Sequence, residues 1–225
     1  MSRRSFQPSR WRQQVFRVGL TCMGVIGWVY SSPIGTAHAQ SPLAVTEVQE
    51  DWELVVDTPD PNSSGPQVTC SIAPHAADDS LYAAFELNHR TLPEFERGGM
   101  QLQMWSGAYN IDNNPNPQQQ IMSTSGETVT WTMSMKRSGE NLTFEVQNGH
   151  STTWGNFGGQ GYLRSSQPSD LENLNAYSPE DTIDNSGVGF GSNRVHSLTL
   201  KRVRYIFSNG DVVTDDAPRV VHQLQ

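Results

Sequence analysis

Residues 128–146 read TVTWTMSMKRSGENLTFEV, and this stretch decides the fold. From Val129 to Met135 every second residue is apolar, and the residues between them are threonine or serine. This two-residue period is typical of a strand with one dry face and one wet face. The alternation resumes from Leu142 to Val146 after a short polar segment that contains Gly139. The stretch therefore predicts a β-hairpin that turns at this glycine.

Shorter runs with the same alternation lie on both sides of the hairpin, at residues 52–56, 83–87, 100–104 and 198–207. We count about eleven strand candidates separated by polar turns, with no internal repeat. Strands with one dry and one wet face are typical of antiparallel sheets. The predicted fold class is all-β, an antiparallel two-sheet β-sandwich.

Two local features interrupt the strand pattern. Leu198 and Leu200 fall on one parity, whereas the apolar residues from Val203 to Phe207 fall on the other. A β-bulge at Lys201–Arg202 would bring both groups to one face, and we predict one there. The segment Ser169–Tyr177 carries a Ser-x-x-Glu capping box ahead of a leucine, which predicts a short helix.

The amino terminus has the features of an export signal. Five arginines and no acidic residue occur within the first 17 positions, followed by the apolar stretch Val18–Tyr30 and by Ala37-His38-Ala39. A basic start, a short apolar core and Ala-x-Ala predict a secretory signal peptide over residues 1–39. The apolar stretch is shorter than the ~20 residues that span a bilayer, so we expect no stable membrane insertion. Residues 40–50 are predicted as a flexible mature terminus and residues 51–225 as one domain.

Charge and cysteine content limit the possible functions of the chain. The whole chain carries 15 basic and 23 acidic side chains; removal of the five signal-peptide arginines leaves 10 against 23, a net charge of −13. This negative field disfavours nucleic acid, which requires a positive surface. We expect a secreted, periplasmic or extracellular location. Cys70 would be the one cysteine left, and its alternating surroundings predict a buried small apolar residue.

The hairpin and a late strand together resemble a known superfamily. The rhythm of residues 130–149 is similar to the centre of concanavalin A-like domains, and residues 194–205 resemble the closing strand of laminin-G-like jelly rolls. This resemblance covers part of the chain. It implies a jelly roll of two stacked sheets, one of them concave, in a superfamily of lectins, glycan-binding modules, glucanases and lyases. The fold by itself does not choose among these functions.

The motifs of the enzymes in that superfamily are incomplete here. The glucanases carry three acids on one strand, whereas Asp51 and Glu53 share a face without a third acid. The alginate lyases carry Gln-x-His, and Met122 stands in the histidine position of Gln120-Ile121-Met122. No Gly-x-Ser-x-Gly motif is present. The sequence assigns no catalytic residue, although a divergent polysaccharide hydrolase or lyase remains an alternative.

Residues 151–162 read STTWGNFGGQGY and combine aromatic, amide and glycine residues. Sugars are bound by aromatic faces against C–H groups and by planar amides on hydroxyls. Glycine allows the backbone to approach a ligand closely. Trp154, Asn156, Gln160 and Tyr162 are therefore candidate carbohydrate-binding residues. The structural alternative is that the aromatic side chains fill the core at a sheet corner.

A second candidate lies in the 100–104 strand and the loop that follows it. Trp105 has the same parity as Gln101 and Gln103, and Tyr109 follows in an Asn-rich loop. If this face is concave, the three strand residues form a floor of amides and one indole, which Tyr109 could join. The alternative is a tryptophan packed beneath the loop at the edge of the sheet.

Metal ligands are sparse in the sequence. The five mature histidines show no zinc spacing. Calcium could take oxygen ligands from Asp57, Asp60 and Asn62, or from Asp112 and Asn114, but neither set has an EF-hand spacing. Both sets are read as turn residues, because Asx side chains favour turns. We predict no metal and no other cofactor, with calcium as the alternative.

These observations favour a secreted, non-catalytic, lectin-like domain that binds a polysaccharide or surface glycan. The enzyme alternative predicts two carboxylates, or a Tyr/His/Arg group, that converge in one cleft. A structural or adhesion protein of the cell envelope is the second alternative, and it predicts no cleft and self-association.

Overall fold

The computed structural model describes residues 43–60, 65–75, 81–88, 99–117 and 120–225. The described chain is mostly β-structure, arranged in two antiparallel sheets with very little helix, which confirms the all-β class.

The predicted signal peptide, residues 1–39, lies outside the described residues. Within them, no helix is both long enough and apolar enough to cross a membrane.

The described residues form thirteen strands and little helix. In chain order the strands are β1 (Val45–Val56), β2 (Gln67–Ile72), β3 (Leu81–Leu87), β4 (Met100–Ser106), β5 (Tyr109–Pro115), β6 (Thr128–Ser138), β7 (Asn141–Ser151), β8 (Gly155–Phe157), β9 (Arg164–Pro168), β10 (Gly187–Phe190), β11 (Val195–Phe207), β12 (Val212–Asp215) and β13 (Arg219–Gln223). Helix α1 spans Pro179–Asp184, and a turn of 3₁₀ helix spans Ser192–Arg194.

The larger sheet has eight strands in the order β12-β11-β1-β6-β7-β8, with β13 also paired to β11 and β9 also paired to β7. The smaller sheet has five strands in the order β10-β2-β3-β4-β5. Both sheets are antiparallel throughout. Apolar side chains from one face of each sheet form a shared core, as in a two-layer sandwich.

Aromatic rings join the two layers at the centre of this core. Phe85 of β3 contacts Trp131 of β6 edge-on at 5.5 Å and Phe157 of β8 at 6.4 Å between ring centroids. Trp131 also stacks on Trp52 of β1, with centroids 6.2 Å apart. Cys70 is fully buried on the core side of β2, as its sequence environment predicts.

The hairpin and the bulge predicted from the sequence are both confirmed. β6 and β7 pair from Ser138 and Asn141 inward, around Gly139 in a left-handed conformation (φ 61°). In the pairing of β1 with β11, Asp51 and Trp52 face Arg202 and Leu200, so Lys201 is the extra residue. The bulge keeps the apolar residues of β11 directed to one side of the sheet.

The helix predicted at Ser169–Tyr177 is wrong. This segment crosses the ends of other strands and uses its backbone groups there: Ser169 donates to the Glu140 carbonyl, and Leu174 donates to the Val45 carbonyl. Groups bonded to distant strands cannot form the local ladder of a helix. The observed helix, α1, begins two residues later, with a proline in its first turn.

Part of the segment predicted as a flexible terminus, residues 40–50, is a strand instead. β1 begins at Val45 and pairs with both β11 and β6, so residues 45–50 belong to the sheet. Val45 is also held by a hydrogen bond of its N–H to the Asn175 side chain at 2.8 Å.

Candidate functional site

The outer face of the five-stranded sheet carries polar and aromatic side chains in register. Pairing of β3 with β4 sets Tyr82 opposite Trp105 and Glu86 opposite Gln101, and β5 adds Asn113 beside Gln103. Residues directly opposite in antiparallel strands share a face. The alternate residues of β3 and β4 lie in the core, so this set points away from the other sheet. We call it the Trp105 face: Tyr82, Glu86, Gln101, Gln103, Trp105 and Asn113.

An aromatic pair forms one end of the Trp105 face. The Tyr82 and Trp105 rings are nearly parallel, 7° apart, with centroids 6.2 Å apart. The Trp105 indole N–H donates to the Gln103 side-chain oxygen at 3.1 Å, which fixes the ring. Both rings are half-buried, and partial burial raises the pKa of the Tyr82 hydroxyl above its ordinary value. The pair is a neutral, oriented and partly exposed aromatic surface.

Buried amides occupy the other end of the Trp105 face. Gln101 is 0 % exposed although it points away from the core, and neither its Nε2 nor its Oε1 has a hydrogen-bond partner among the described residues. Asn113 Oδ1 is likewise buried and unpartnered, while its Nδ2 donates to Asn110 at 2.7 Å. Gln103 donates to Glu86 at 3.5 Å. Buried polar groups are nearly always satisfied, so the unpartnered Gln101 amide is an exception. Because this side chain is 0 % exposed, a ligand would reach it only after the groups that cover it move.

A second polar site lies on the outer face of the eight-stranded sheet. It is a groove of about 480 Å³ lined by residues 147–150 and 156–160. Gln147 and His150 pair with the outward-facing Thr132 and Thr130 of β6, which places the groove on the outward side. The His150 Nδ1 and Asn156 Oδ1 atoms are 2.9 Å apart. We call this the amide groove; its lining includes no acidic or basic side chain other than the histidine.

Core contacts shape the amide groove from beneath. Asn148 adopts a left-handed conformation (φ 54°) where the register of β6 with β7 shifts, which is a β-bulge. A side chain at Gly149 would collide with the Phe157 ring, and one at Gly158 would collide with the Val146 carbonyl. Glycine is therefore required at both positions. The hydroxyl of Tyr162 accepts the Gly158 N–H at 3.1 Å and fixes the loop.

The six residues predicted to bind carbohydrate do not form one site. Trp105 lies with Gln101 and Gln103 as expected, and Tyr109, 77 % exposed, begins the neighbouring strand β5. Asn156 and Gln160 line the amide groove. Their placement on two different sheets separates them into two surfaces.

Trp154 and Tyr162 support the groove from the inside. Trp154 is 2 % exposed, packs edge-on against Phe157, and donates its indole N–H to the Gln120 carbonyl at 2.9 Å. Its ring belongs to the core and cannot contact a ligand in this conformation, which corrects its interpretation as a contact residue. Tyr162 packs on the core, and its hydroxyl is used within the loop.

The sequence reasoning missed Tyr82, Glu86 and Asn113 as parts of the Trp105 face, and Gln147 and His150 as parts of the amide groove. The first three depend on which strands pair, which alternation within one strand does not reveal. The groove had a local signal: the Gln147-Asn148-Gly149 sequence inside a strand is typical of a bulge.

The predicted calcium ligands hold parts of the protein together. Asp112 accepts hydrogen bonds from Asn114 at 2.8 Å and from Ser165 of β9 at 2.6 Å, which joins the edges of the two sheets. Asp60 lies 3.6 Å from Arg194, and Asn62 is outside the described residues. Across the part of the chain that the structure describes, no group of three or more His, Cys, Asp or Glu side chains could hold a metal ion.

One carboxyl group is buried inside the sandwich. Glu50, 0 % exposed, accepts hydrogen bonds from the Tyr177 hydroxyl at 2.7 Å, the Thr182 hydroxyl at 2.8 Å and the Trp52 indole at 3.0 Å. Burial raises the pKa of Glu50 from 4.5 to about 7, against the opposing effect of these hydrogen bonds. Every donor belongs to the packed core, so the group joins α1 and the neighbouring loop to β1.

Comparison with models of protein families gives no match, and no curated protein is detectably similar to this chain in sequence.

Proposed function

We propose that the protein is a secreted, non-catalytic carbohydrate-binding domain and that its glycan lies on the Trp105 face. The observation that carries the proposal is the half-buried stacked pair of Tyr82 and Trp105 on an outward-facing sheet surface, with the buried, unpartnered amide of Gln101 on the same face. Sugar rings offer both complementary groups, with C–H faces for aromatic rings and hydroxyls for amides.

The chemistry of the face favours a polyhydroxylated ligand over an apolar one. Amide groups supply a donor and an acceptor in one plane, which matches adjacent sugar hydroxyls. Glu86 adds an acceptor beside Gln101 and Gln103. An apolar ligand would leave the buried Gln101 amide unsatisfied, at a cost of about 1–3 kcal/mol.

The absence of a second acid supports binding without hydrolysis. Glycoside hydrolysis uses two carboxyl groups that flank the scissile bond. Within the described strands, Glu86 is the one carboxylate on the Trp105 face. The arginine-rich start, short apolar segment and Ala-x-Ala of residues 1–39 support export. The two-layer fold is consistent with the proposed concanavalin A-like relationship.

Binding of the mature chain, residues 40–225, to a panel of soluble polysaccharides tests the proposal. We expect Trp105→Ala to weaken binding about tenfold or more, the value of an aromatic contact of about 1.5 kcal/mol. Trp105→Phe keeps a ring and should retain part of the affinity. The matched control is Val213→Ala, which removes an exposed apolar group from the other sheet.

Tyr109→Ala is measured in the same assay, because Tyr109 is exposed and is the first residue of β5, the strand that pairs with the strand of Trp105. Loss of affinity would add Tyr109 to the site. The proposal for the Trp105 face is refuted if Trp105→Ala binds every polysaccharide as the wild type does, or if a folded wild type binds none of them.

A further inference from the structure

We propose that the amide groove is a second, independent glycan-binding site, so that one copy of the chain can bridge two glycan strands. This inference rests on the proposed function for the class of ligand. The existence and position of the second site are argued from the geometry of the groove alone.

The groove is an open depression in the sheet surface, and close packing beneath it holds its walls. Its volume of about 480 Å³ lies within the 300–1,000 Å³ range of small-molecule sites. The β7 bulge at Asn148 forms one wall, and the loop that contains Gly158 forms the other. Close packing at Gly149 and Gly158 leaves little freedom for either wall. A ligand would therefore meet a surface that is largely organised before binding.

The lining selects a neutral ligand rich in hydroxyl groups. Gln147, Asn148, Asn156 and Gln160 supply four carboxamides, each with donors and acceptors. His150 is oriented by the contact of its Nδ1 with Asn156, which leaves its Nε2 for a ligand. An anionic ligand would find no basic residue other than histidine, in a protein with a strong net negative charge. A purely apolar ligand would find no exposed aromatic surface, because Phe157 is buried.

The position of the groove sets it apart from the Trp105 face. Trp105 points outward from the five-stranded sheet, and His150 points outward from the eight-stranded sheet. The core of two stacked layers, about 10 Å between their backbones, separates the two surfaces. A short oligosaccharide cannot occupy both, so two sites on opposite faces engage two separate strands. Such bivalency adds avidity on a polymer and cross-links it.

The experiment uses the mature chain, with its monomeric state verified by light scattering, and a polysaccharide that the wild type binds. Titration with a short oligosaccharide of the same sugar gives the number of sites, and turbidity of the mixture with the polymer reports cross-linking. The variants are Asn156→Ala/Gln160→Ala for the groove and Trp105→Ala for the other face. Thr143→Ala, an outward-facing position on the same strand β7, is the control.

We expect two sites and turbidity for the wild type and for Thr143→Ala. Each site variant should keep one site, bind the polymer more weakly and fail to cross-link it. Thermal melting checks that each variant is folded, because Asn156 and Gln160 are exposed whereas Trp105 is half-buried.

The two proposals fail in different ways. If the wild type has one site, and Trp105→Ala loses it while the groove variant keeps it, the second site is refuted and the proposed function stands. One site that is lost only in the groove variant refutes the Trp105 face and also removes bridging. Two sites and undiminished turbidity in Asn156→Ala/Gln160→Ala overturn the groove as the second site.

Discussion

Replacement of Glu50 by glutamine should remove a large part of the pH dependence of stability. The Glu50 carboxyl is 0 % exposed, and burial raises its pKa from 4.5 to about 7. Between these two values the folded state binds a proton that the unfolded state releases. The stabilising contribution of protonated Glu50 is therefore complete below pH 4.5 and is lost as the pH rises through 7.

The size of this effect follows from the shift in pKa. One pKa unit corresponds to 1.36 kcal/mol. The rise from 4.5 to about 7 therefore predicts that the wild-type free energy of unfolding loses about 3 kcal/mol from this group by pH 8. Glutamine does not titrate, so Glu50→Gln should not show this loss.

Glutamine also changes the hydrogen bonds at this position. Its Oε1 can still accept from Tyr177 and Thr182, but its Nε2 would face the N–H donor of Trp52. One unsatisfied buried donor costs about 1–3 kcal/mol. We therefore expect Glu50→Gln to be less stable than the wild type at pH 4.5. Toward pH 8 the difference should shrink to near zero or change sign.

Urea unfolding followed by tryptophan fluorescence at several pH values between 4.5 and 8 measures this difference. Subtraction of the variant from the wild type cancels the titration of other groups. Glu53→Gln is the matched control, because this partly exposed acid on the same strand pairs with Lys201 at 3.1 Å at the surface. A difference between wild type and Glu50→Gln that stays constant across this pH range would refute the reasoning. It would mean that Glu50 ionises in the folded protein as readily as in the unfolded one.

Three further predictions concern other contacts. Gln101→Met replaces the unpartnered amide by an apolar group of similar volume. In urea titrations without ligand, the free energy of unfolding should rise by about 1–3 kcal/mol, while the affinity for glycan falls. A decrease in the free energy of unfolding would contradict an unpartnered amide. Gly158→Ala and Gly161→Ala both place alanine at positive φ, which should lower the free energy of unfolding by about 1–2 kcal/mol. Gly158→Ala should lower it further, because the new Cβ would meet the Val146 carbonyl, and equal decreases in the two variants would contradict this close approach. Tyr177→Phe removes a hydrogen bond that lowers the pKa of the Glu50 carboxyl. In urea unfolding at several pH values, the pH range over which stability is lost should therefore shift upward, and an unchanged range would contradict this contact.

Features that depend on neighbouring residues could be predicted from the sequence. The β6–β7 hairpin follows from alternation around Gly139, and the bulge at Lys201 follows from a change of parity within β11. The same parity correctly grouped Trp105 with Gln101 and Gln103. In each case the side-chain direction in an extended chain repeats every two residues, so the local sequence carries the information.

Features that depend on distant contacts could not be predicted in this way. Ser169–Tyr177 has a capping pattern, yet contacts with β1 and with the turn between β6 and β7 determine its path. The stronger helix signal was the proline followed by two acids in the first turn of α1. In the sequence, Trp154 is compatible with both a core position and a ligand site. Its burial follows from contacts with Phe157 and Gln120.

Gln101 contrasts with Glu50, and this contrast supports the proposal that Gln101 serves a ligand. Both are polar, both are 0 % exposed and both lie in central strands. Glu50 faces the core and has three donors, so the fold itself accounts for it. Gln101 faces outward and has no partner for either amide atom within the described chain, so packing gives no reason for its polarity. An apolar residue of the same size would make the unbound protein more stable. The amide reduces the stability of the folded chain, and a bound partner that pairs with it would recover that loss.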